Sequence, residues 1–570
     1  MTHRTLANVD AARGAAREGL DARSISGFSN LLGQPGPRQR SNLGNDPVAA
    51  RAILAALTNG LPIAPSTEAP TPSPHPLWGT TTLKPGVHVD DNPFIPAGYT
   101  YLLQFVSHDL IQLSVPFWAA ADAGIGSRNL RGAGLQLDTL YGGGPIACPV
   151  AFEPAGRATS ERSLLRLGRV AGATEASYDG APEGAGGACP FRDVARVNVM
   201  NGLGTPGDAR DSVNFGNAHH TYIADARNDD TVLMTQLTVL MSMAHNAIAA
   251  QVDTMSSEAA FGHARNAMLV MYYNIITDDL LKHVLHPHIY RRQRNRSASD
   301  KDWLWKDADI PLEFSHGAFR AGHAMVRGHY SLNDRVPGKL DIVTIVDGNH
   351  SSGDAFHPLP PGWVLQWSHF FDLGQTPNFS RRIGPTKSRL DHEGLFPNGG
   401  LTGPDGTTFR DALSAAIARP WKVDALIEEI DRRSPDLIPP DWLFGDRAPR
   451  RAAIKEWVGE VIGAGPDSAG QIAILTEDLP LPMFVLLEAA RDPDVRGKSL
   501  GVLGSIIVGE VIGRRVAEGR EQLRPMLDAT RDSLPTELWR AIRNVDSMPE
   551  LVRFVATHGG LAKCTEMPFI

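Results

Sequence analysis

The chain has 570 residues, 42% hydrophobic and 21% charged, with a net charge of −8. Its length leaves no difficulty in burying a large core, and a composition this close to that of soluble globular proteins excludes a disordered or fibrous chain. Lys and Arg are scattered rather than gathered in a stripe, which excludes a nucleic-acid partner that depends on neutralising a phosphate backbone.

The first 27 residues hold no apolar run followed by a small-residue cleavage site, so a cytoplasmic location is the default expectation. Residues 64–76, APSTEAPTPSPHP, are too rich in Pro for a helix or a central strand and read as an extended arm. From Pro96 to Phe117 apolar residues recur at helical spacing (Leu102, Phe105, Val106, Leu110), with Pro116 at the far end. The interval 124–216 is loop-rich, with Gly142 to Gly144 in succession and the low-complexity run DGAPEGAGGACP near Asp179.

Helical periodicity returns from Thr231 to about Met255 and from Ala259 to about Leu285. The uncharged stretch Val232 to Ala250 is long enough to raise the membrane question. It contains Gln236, His245 and Asn246, and reads better as a buried helix. Further helices are expected over Ser315 to Arg327, Trp421 to Arg432, Arg450 to Ile462, Pro482 to Ala490 and Leu500 to Glu518. Strand-like runs such as Leu340 to Val346 are short and few, so the expected fold class is mainly α, helix packed on helix, without internal repeats. Cys148, Cys189 and Cys564 are too few and too widely spaced for a disulfide framework or a CxxC zinc site; they fit a reduced compartment and leave room for one bridge.

Three clusters carry chemistry. On the first strong helix Gln104 and His108 are four residues apart and share a face, with Asp109 about a quarter-turn away. A core histidine bonded to a carbonyl is the commoner explanation of a lone His. In ADARNDD, residues 224–230, Asp229 and Asp230 suit a helix N-terminus, but Arg227 is a cation at the positive end of the macrodipole, where a salt bridge to Asp225 or Asp229 is the plain reading. In EFSHGAFRAGHAMVRGHYSLND, residues 313–334, α-helical spacing puts Phe319, His323 and Arg327 on one face with Arg320 one turn before His323; Ala321 and Gly322 leave room for something flat beside it, or serve packing alone.

Together the three clusters resemble the peroxidase-cyclooxygenase superfamily, the animal-type haem peroxidases and their bacterial relatives. QFVSHDL from Gln104 is similar to that family's distal-histidine motif, IADARNDDTVLMTQLTVLMSMAHNAIA from Ile223 to its distal-arginine segment, and EFSHGAFRAGHAMVR from Glu313 to its proximal-histidine helix. LQLDTLYGGGP from Leu135, WSHFFDL from Trp367 and LPMFVLLEAARDPDVRGKSLGVLGSIIVGEVIG from Leu481 extend the resemblance over about residues 90–515. It implies an animal haem peroxidase-like helical domain over 91–520, an N-terminal arm over 1–90 and a C-terminal helical extension over 521–570.

The resemblance further implies haem b and a reaction with hydrogen peroxide and a small reducing substrate of phenol or halide type. His108 is then the general base, Arg227 the stabiliser of charge developing on the departing oxygen, and Gln104 the residue that orders water or a small anion. His323 supplies the axial nitrogen to iron, with Arg320 beside it and an acceptor on its other ring nitrogen, for which Asp411 in TTFRDALSAA stands where the family has an Asn. Two carboxylates esterify the haem in mammalian members; their positions here are Ser107 and Asp230, which leaves a single ester at Asp230 as the hypothesis. Asp109 and Asp138 match parts of the family's calcium site, but Gly132 and Gln136 replace a Thr and an Asp in a set that needs several oxygens.

Three competing readings frame these expectations. A fatty-acid dioxygenase of the same superfamily needs a tyrosine three residues before the proximal His, and Arg320 stands there. A non-catalytic haem-binding protein needs only His323, not His108 and Arg227. A metal hydrolase built on His219, His220 and His245 lacks an HExxH or comparable spacing.

Overall fold

The structure, a computed structural model, describes residues 25–63, 77, 90–116, 126–132, 134–153, 163–168, 170, 192–196, 221–253, 256–349, 359–388, 391, 406–559 and 569–570. Helical periodicity dominates the sequence, and the elements that position the site follow it: α1 (Pro47–Asn59), β1 (Asp91–Pro96), α2 (Gly98–Leu110), α3 (Val232–Ala249), α4 (Ser257–Asn274), β2 (Phe379–Arg381), α5 (Thr407–Ala418), α6 (Leu481–Arg491), α7 (Val502–Val508) and α8 (Met548–His558).

Helix α3 is the axis of the fold. It starts where the Thr231 side chain accepts from the Met234 amide, and every one of its 18 residues is buried. A helix apolar on all sides must be covered on all sides, and α3 is packed against α2, α4 and α8. It is long and apolar enough to cross a membrane by length and composition, yet it lies wholly inside protein. Helix α4 runs into a π-helical stretch, Ile275–Leu280, before a last turn at Leu281–Val284. The wider turn sets Asp279 between two elements: its carboxylate accepts from the Tyr99 hydroxyl of α2 at 2.7 Å and from the Met548 amide at the start of α8 at 2.8 Å.

Strand β1 leads into α2 and pairs antiparallel with β2, Phe379 opposite Pro96 and Arg381 opposite Asp91 with a register shift between. Two buried acids sit here, and each has a cation partner, as burial of charge requires: Asp91 pairs with Arg327 at 3.1 Å and Asp90 pairs with Arg381. The turn into α2 brings the Gly98 amide onto Phe370 O at 2.9 Å. A Cβ at Gly98 would fall 2.4 Å from the Phe371 ring, so only glycine permits the approach. The N-terminal stretch closes the opposite side. Phe28–Ser29 pairs in parallel with Ile310–Pro311, and the buried Glu313 carboxylate accepts from Asn30 Nδ2 (2.9 Å), Leu31 N (2.8 Å) and Trp421 N (2.9 Å).

The expected helices are present with shifted ends. The helix expected to reach Phe117 stops at Leu110, because its last carbonyls are taken by side chains instead of a further turn: His108 O and Ile111 O accept from Arg227, and Leu110 O from Asn129 Nδ2. The strand-like run Leu340 to Val346 is a two-residue strand, Leu340–Asp341, followed by a helix, Ile342–Asn349. There the Asp341 carboxylate accepts from Val343 N at 2.8 Å, and this cap outweighs the β preference of the branched residues. The loop-rich interval contributes only short elements among its described residues, with Gly142, Gly143 and Gly144 all at positive φ. The Pro-rich arm at 64–76, the run near Asp179, Cys189, His219, His220 and Cys564 lie outside the described residues.

Candidate functional site

On α2 every side chain is buried except Gln104 and Ser107, which are half-buried and adjoin His108 on one face of the helix. His108 is itself buried. Its Nδ1 meets Asn228 Oδ1 at 2.8 Å, and among the described residues its Nε2 has no hydrogen-bond partner. Burial, and next the positive charge of Arg227, push the His108 pKa down to about 4, against the opposing pull of Asp225, Asn228 and Asp230. The imidazole is neutral at pH 7 and its free nitrogen can take a proton.

Arg227 and Asn228 come from a short 3₁₀ turn, Ala226–Asp229, begun by Asp225, whose side chain accepts from Arg227 N. Asp225 also binds the guanidinium, Nε to Oδ1 at 2.9 Å and Nη2 to Oδ2 at 2.6 Å. The remaining bonds, Nη1 to Ile111 O (2.6 Å) and Nη2 to His108 O (2.9 Å), commit four of the five N–H donors and leave one Nη1–H. The salt-bridge reading of Arg227 and its place beside His108 are therefore both true. Arg131 joins the same carboxylate, and its Nε also donates to His108 O at 3.0 Å. Burial opposes ionisation of Asp225, but Arg227, His108 and Arg131 hold its pKa well below the usual range. Asp229 does not cap α3; it is bound by Arg196 at 2.7 Å, and the cap is Thr231. Asp230 is half-buried at the end of the turn.

His323 stands in the segment Ala318–Met325, which is 3₁₀ rather than α. This corrects the expected face. At three residues per turn Arg320 and His323 are stacked, and Phe319, His323 and Arg327 are not. Both stacked side chains reach one carboxylate: Arg320 Nη1 to Asp411 Oδ1 at 2.9 Å and His323 Nδ1 to Asp411 Oδ2 at 2.6 Å. Arg327 turns away to Asp91 and to Phe379 O. Burial opposes ionisation of Asp411, yet His323 and Arg320 outweigh it and keep the pKa below the ordinary carboxylate value.

The segment is covered by α2, α5, α6, α7 and β2, and nevertheless the His323 side chain is 46% exposed. A Cβ at Gly322 would meet nothing within 4 Å, and His323 Nε2 has no partner among the described residues. One imidazole backed by a carboxylate, a second, neutral one on α2, which packs against the His323 segment, and a bare backbone position at Gly322 fit a flat ligand with a central metal, as haem has.

Calcium does not fit. The Asp109 carboxylate accepts from Leu137 N at 3.0 Å and Thr139 N at 3.1 Å, so the loop holding Asp138 turns N–H groups toward it where a hard cation needs oxygens. His245 is a core histidine, bonded through Nδ1 to Tyr141 Oη at 3.0 Å and through Nε2 to Ser163 O at 2.8 Å. His286, Asp492 and Asp494 also gather their ligand atoms within 4.8 Å. However, His286 Nδ1 accepts from His288 N, which leaves the ring hydrogen on Nε2, the atom facing the two acids. Sequence reasoning missed Asn228 and Asn129, whose roles depend on contacts to distant residues.

A model of the family described as animal haem peroxidase matches residues 198–347, the stretch that carries Arg227, α3 and His323. No curated protein matches the chain. Among solved structures the fatty acid alpha-dioxygenase of Oryza sativa is similar at a TM-score of 0.52 and 11% identity, over 93% of this chain and 82% of the other. Peroxidase A of Dictyostelium discoideum is similar at a TM-score of 0.48 and 14% identity, over 95% of this chain and 93% of the other. At these identities the likeness to the Oryza sativa enzyme shows a common fold.

Proposed function

We propose that the chain is a haem peroxidase of the peroxidase-cyclooxygenase superfamily that reduces hydrogen peroxide and oxidises a small donor of phenol or halide type, a reading supported by the animal haem peroxidase model over residues 198–347. The observation that supports this best is a pair of unlike imidazoles on two elements packed against each other, His323 on a buried carboxylate and His108 neutral with an Nε2 that has no partner among the described residues.

Haem bound here supplies the redox-active iron at which peroxide is reduced. His323 Nε2 would hold its iron, and Asp411 fixes the ring by accepting the Nδ1 hydrogen, which raises the donor strength of the other nitrogen. Asp411 in turn is held by Arg320. His108 Nε2 takes a proton from hydrogen peroxide and delivers it to the oxygen that leaves as water. Arg227 acts through its charge more than through a fork of hydrogen bonds, since one N–H is left to give. Gln104, on the same face as His108, orders water or a small anion beside it. A single ester between Asp230 and the haem belongs to the same proposal; haem recovered whole by acid-acetone extraction excludes it.

Arg320 supports the peroxidase over a fatty-acid dioxygenase, because the position three residues before His323 holds a guanidinium bound to Asp411 and Ser315 O, with no phenol to form a radical. The deciding experiment is an absorption spectrum before and after peroxide, followed by turnover of a phenol. His323→Ala is expected to lose haem; His108→Ala and Arg227→Ala keep it and lose peroxide reactivity by roughly 10²- to 10⁴-fold. Oxygen uptake with linoleate and no phenol turnover would replace this reading with the dioxygenase.

A further inference from the structure

The side-chain amide of Asn228 is fully buried, and its orientation is fixed from one end. Nδ2 donates to Thr139 O at 3.1 Å and to Thr139 Oγ1 at 3.1 Å. Thr139 O is a carbonyl and only accepts, so the amide cannot be turned around without setting two oxygens against each other. Oδ1 therefore faces His108 Nδ1, at 2.8 Å, with Thr139 Oγ1 also 3.4 Å away. A carbonyl oxygen cannot donate, so the hydrogen of this bond belongs to His108. With Nδ1 protonated in a neutral ring, the lone pair is on Nε2.

We propose that Asn228 is a positioning residue that sets the tautomer and ring angle of His108, so that the proton-accepting lone pair is on Nε2, the nitrogen with no partner among the described residues. The hydrogen-bond relay runs from the Thr139 carbonyl through the Asn228 amide to the His108 imidazole. Asp225 anchors it from the side, since its Oδ2 accepts from Thr139 Oγ1 at 3.2 Å as well as from both arginines. The inference rests on the peroxidase reading and extends it to a residue that touches neither peroxide nor haem. In the sequence, Asn228 is only the neighbour of Arg227, and the functional role comes from its contact with a residue 120 positions earlier.

The plain alternative is that Asn228 merely ties its turn to the loop at Thr139. Two variants of the full-length, haem-loaded protein separate the two. Asn228→Leu removes both the acceptor for His108 and the donors to Thr139. Asn228→Asp keeps an acceptor for His108 and removes the donors to Thr139.

The readouts are the rate of the Soret change with hydrogen peroxide and the association rate of cyanide with the ferric protein, a ligand that must also lose its proton near His108. Asn228→Leu is expected to slow both by roughly 10- to 100-fold, the usual loss when the partner of a working imidazole is removed, and Asn228→Asp to stay within about threefold of the unaltered protein. Equal losses in both variants, or no loss in Asn228→Leu, overturn the inference. If Asn228→Leu binds no haem, Asn228→Asp decides alone: tenfold or greater slowing overturns it and near-normal rates uphold it. His108→Ala separates the two levels, because peroxide reactivity that survives in it sinks the peroxidase reading, whereas loss in His108→Ala with full activity in Asn228→Leu sinks only the role of Asn228.

Discussion

Replacing Arg227 by Gln should move the acid limb of the peroxide reaction upward. In the folded protein the His108 pKa stands at about 4 against an ordinary 6.5; burial is the larger cause and the Arg227 charge the next, with Asp225 and Asp230 pulling the other way. Removing the guanidinium leaves burial intact, deletes one repulsive cation and frees part of the Asp225 carboxylate to attract a protonated ring. A shift on the order of one unit, about 1.4 kcal/mol, is a conservative share of the whole depression. With limbs at about 4 and about 5, roughly three-quarters of the unaltered protein and roughly one-quarter of the variant hold a neutral His108 at about pH 4.5, while both are fully neutral at pH 7. Stopped-flow rates of the Soret change between about pH 3.5 and 8, each normalised to its own neutral plateau, isolate this effect from the loss of Arg227 itself. A limb near pH 6.5 in the unaltered protein, or one that Arg227→Gln leaves in place, refutes the electrostatic account.

Asp411→Asn keeps an oxygen for His323 Nδ1 but removes the charge that also holds Arg320, and haem affinity measured by transfer to apomyoglobin should fall by roughly 10- to 100-fold. Unchanged affinity would mean that the carboxylate only closes the helix contact. Chelation with EDTA should leave the melting temperature and Soret band where they were, because Asp109 is satisfied by amides; a fall of about 5 °C or more would restore a structural cation. His245, buried and held at about pKa 4, takes up its proton later than in the unfolded chain. The His245 contribution to stability is therefore full above pH 6.5 and is lost through the window from 6.5 to about 4, by about 3 kcal/mol. His245→Gln should flatten that decline in urea titrations at several pH values, and an unchanged slope would place the acid sensitivity elsewhere.

Much of this fold and site is legible in the sequence. Helical spacing found α2, α3 and α4, and the spacing of Gln104 and His108 gave the face of α2 that they share. Asp411 could be proposed because the resemblance asks for an acceptor, and the structure brings it to His323. What periodicity could not distinguish is three residues per turn from 3.6. The segment around His323 has small residues at 321 and 322 that suit either, and the choice decides whether Arg320 or Phe319 shares its face. The tether of Arg227 was half visible, since Asp225 is two residues away, but the carbonyls of His108 and Ile111 are more than a hundred residues distant and carry no local signal. The run Leu340 to Val346 misled because its branched side chains suit a strand while one aspartate in front of them starts a helix.

The buried Glu313 bears on how the chain is made. Its partners Asn30 and Leu31 precede it by 283 and 282 residues, so they leave the ribosome long before the carboxylate they will bind. Until the proximal stretch emerges, the early segment has no mate and its apolar side chains are open to chaperones or to other nascent chains. Closure over so long a loop is slow on entropic grounds. Completion of the N-terminal seam should therefore trail synthesis of residue 313.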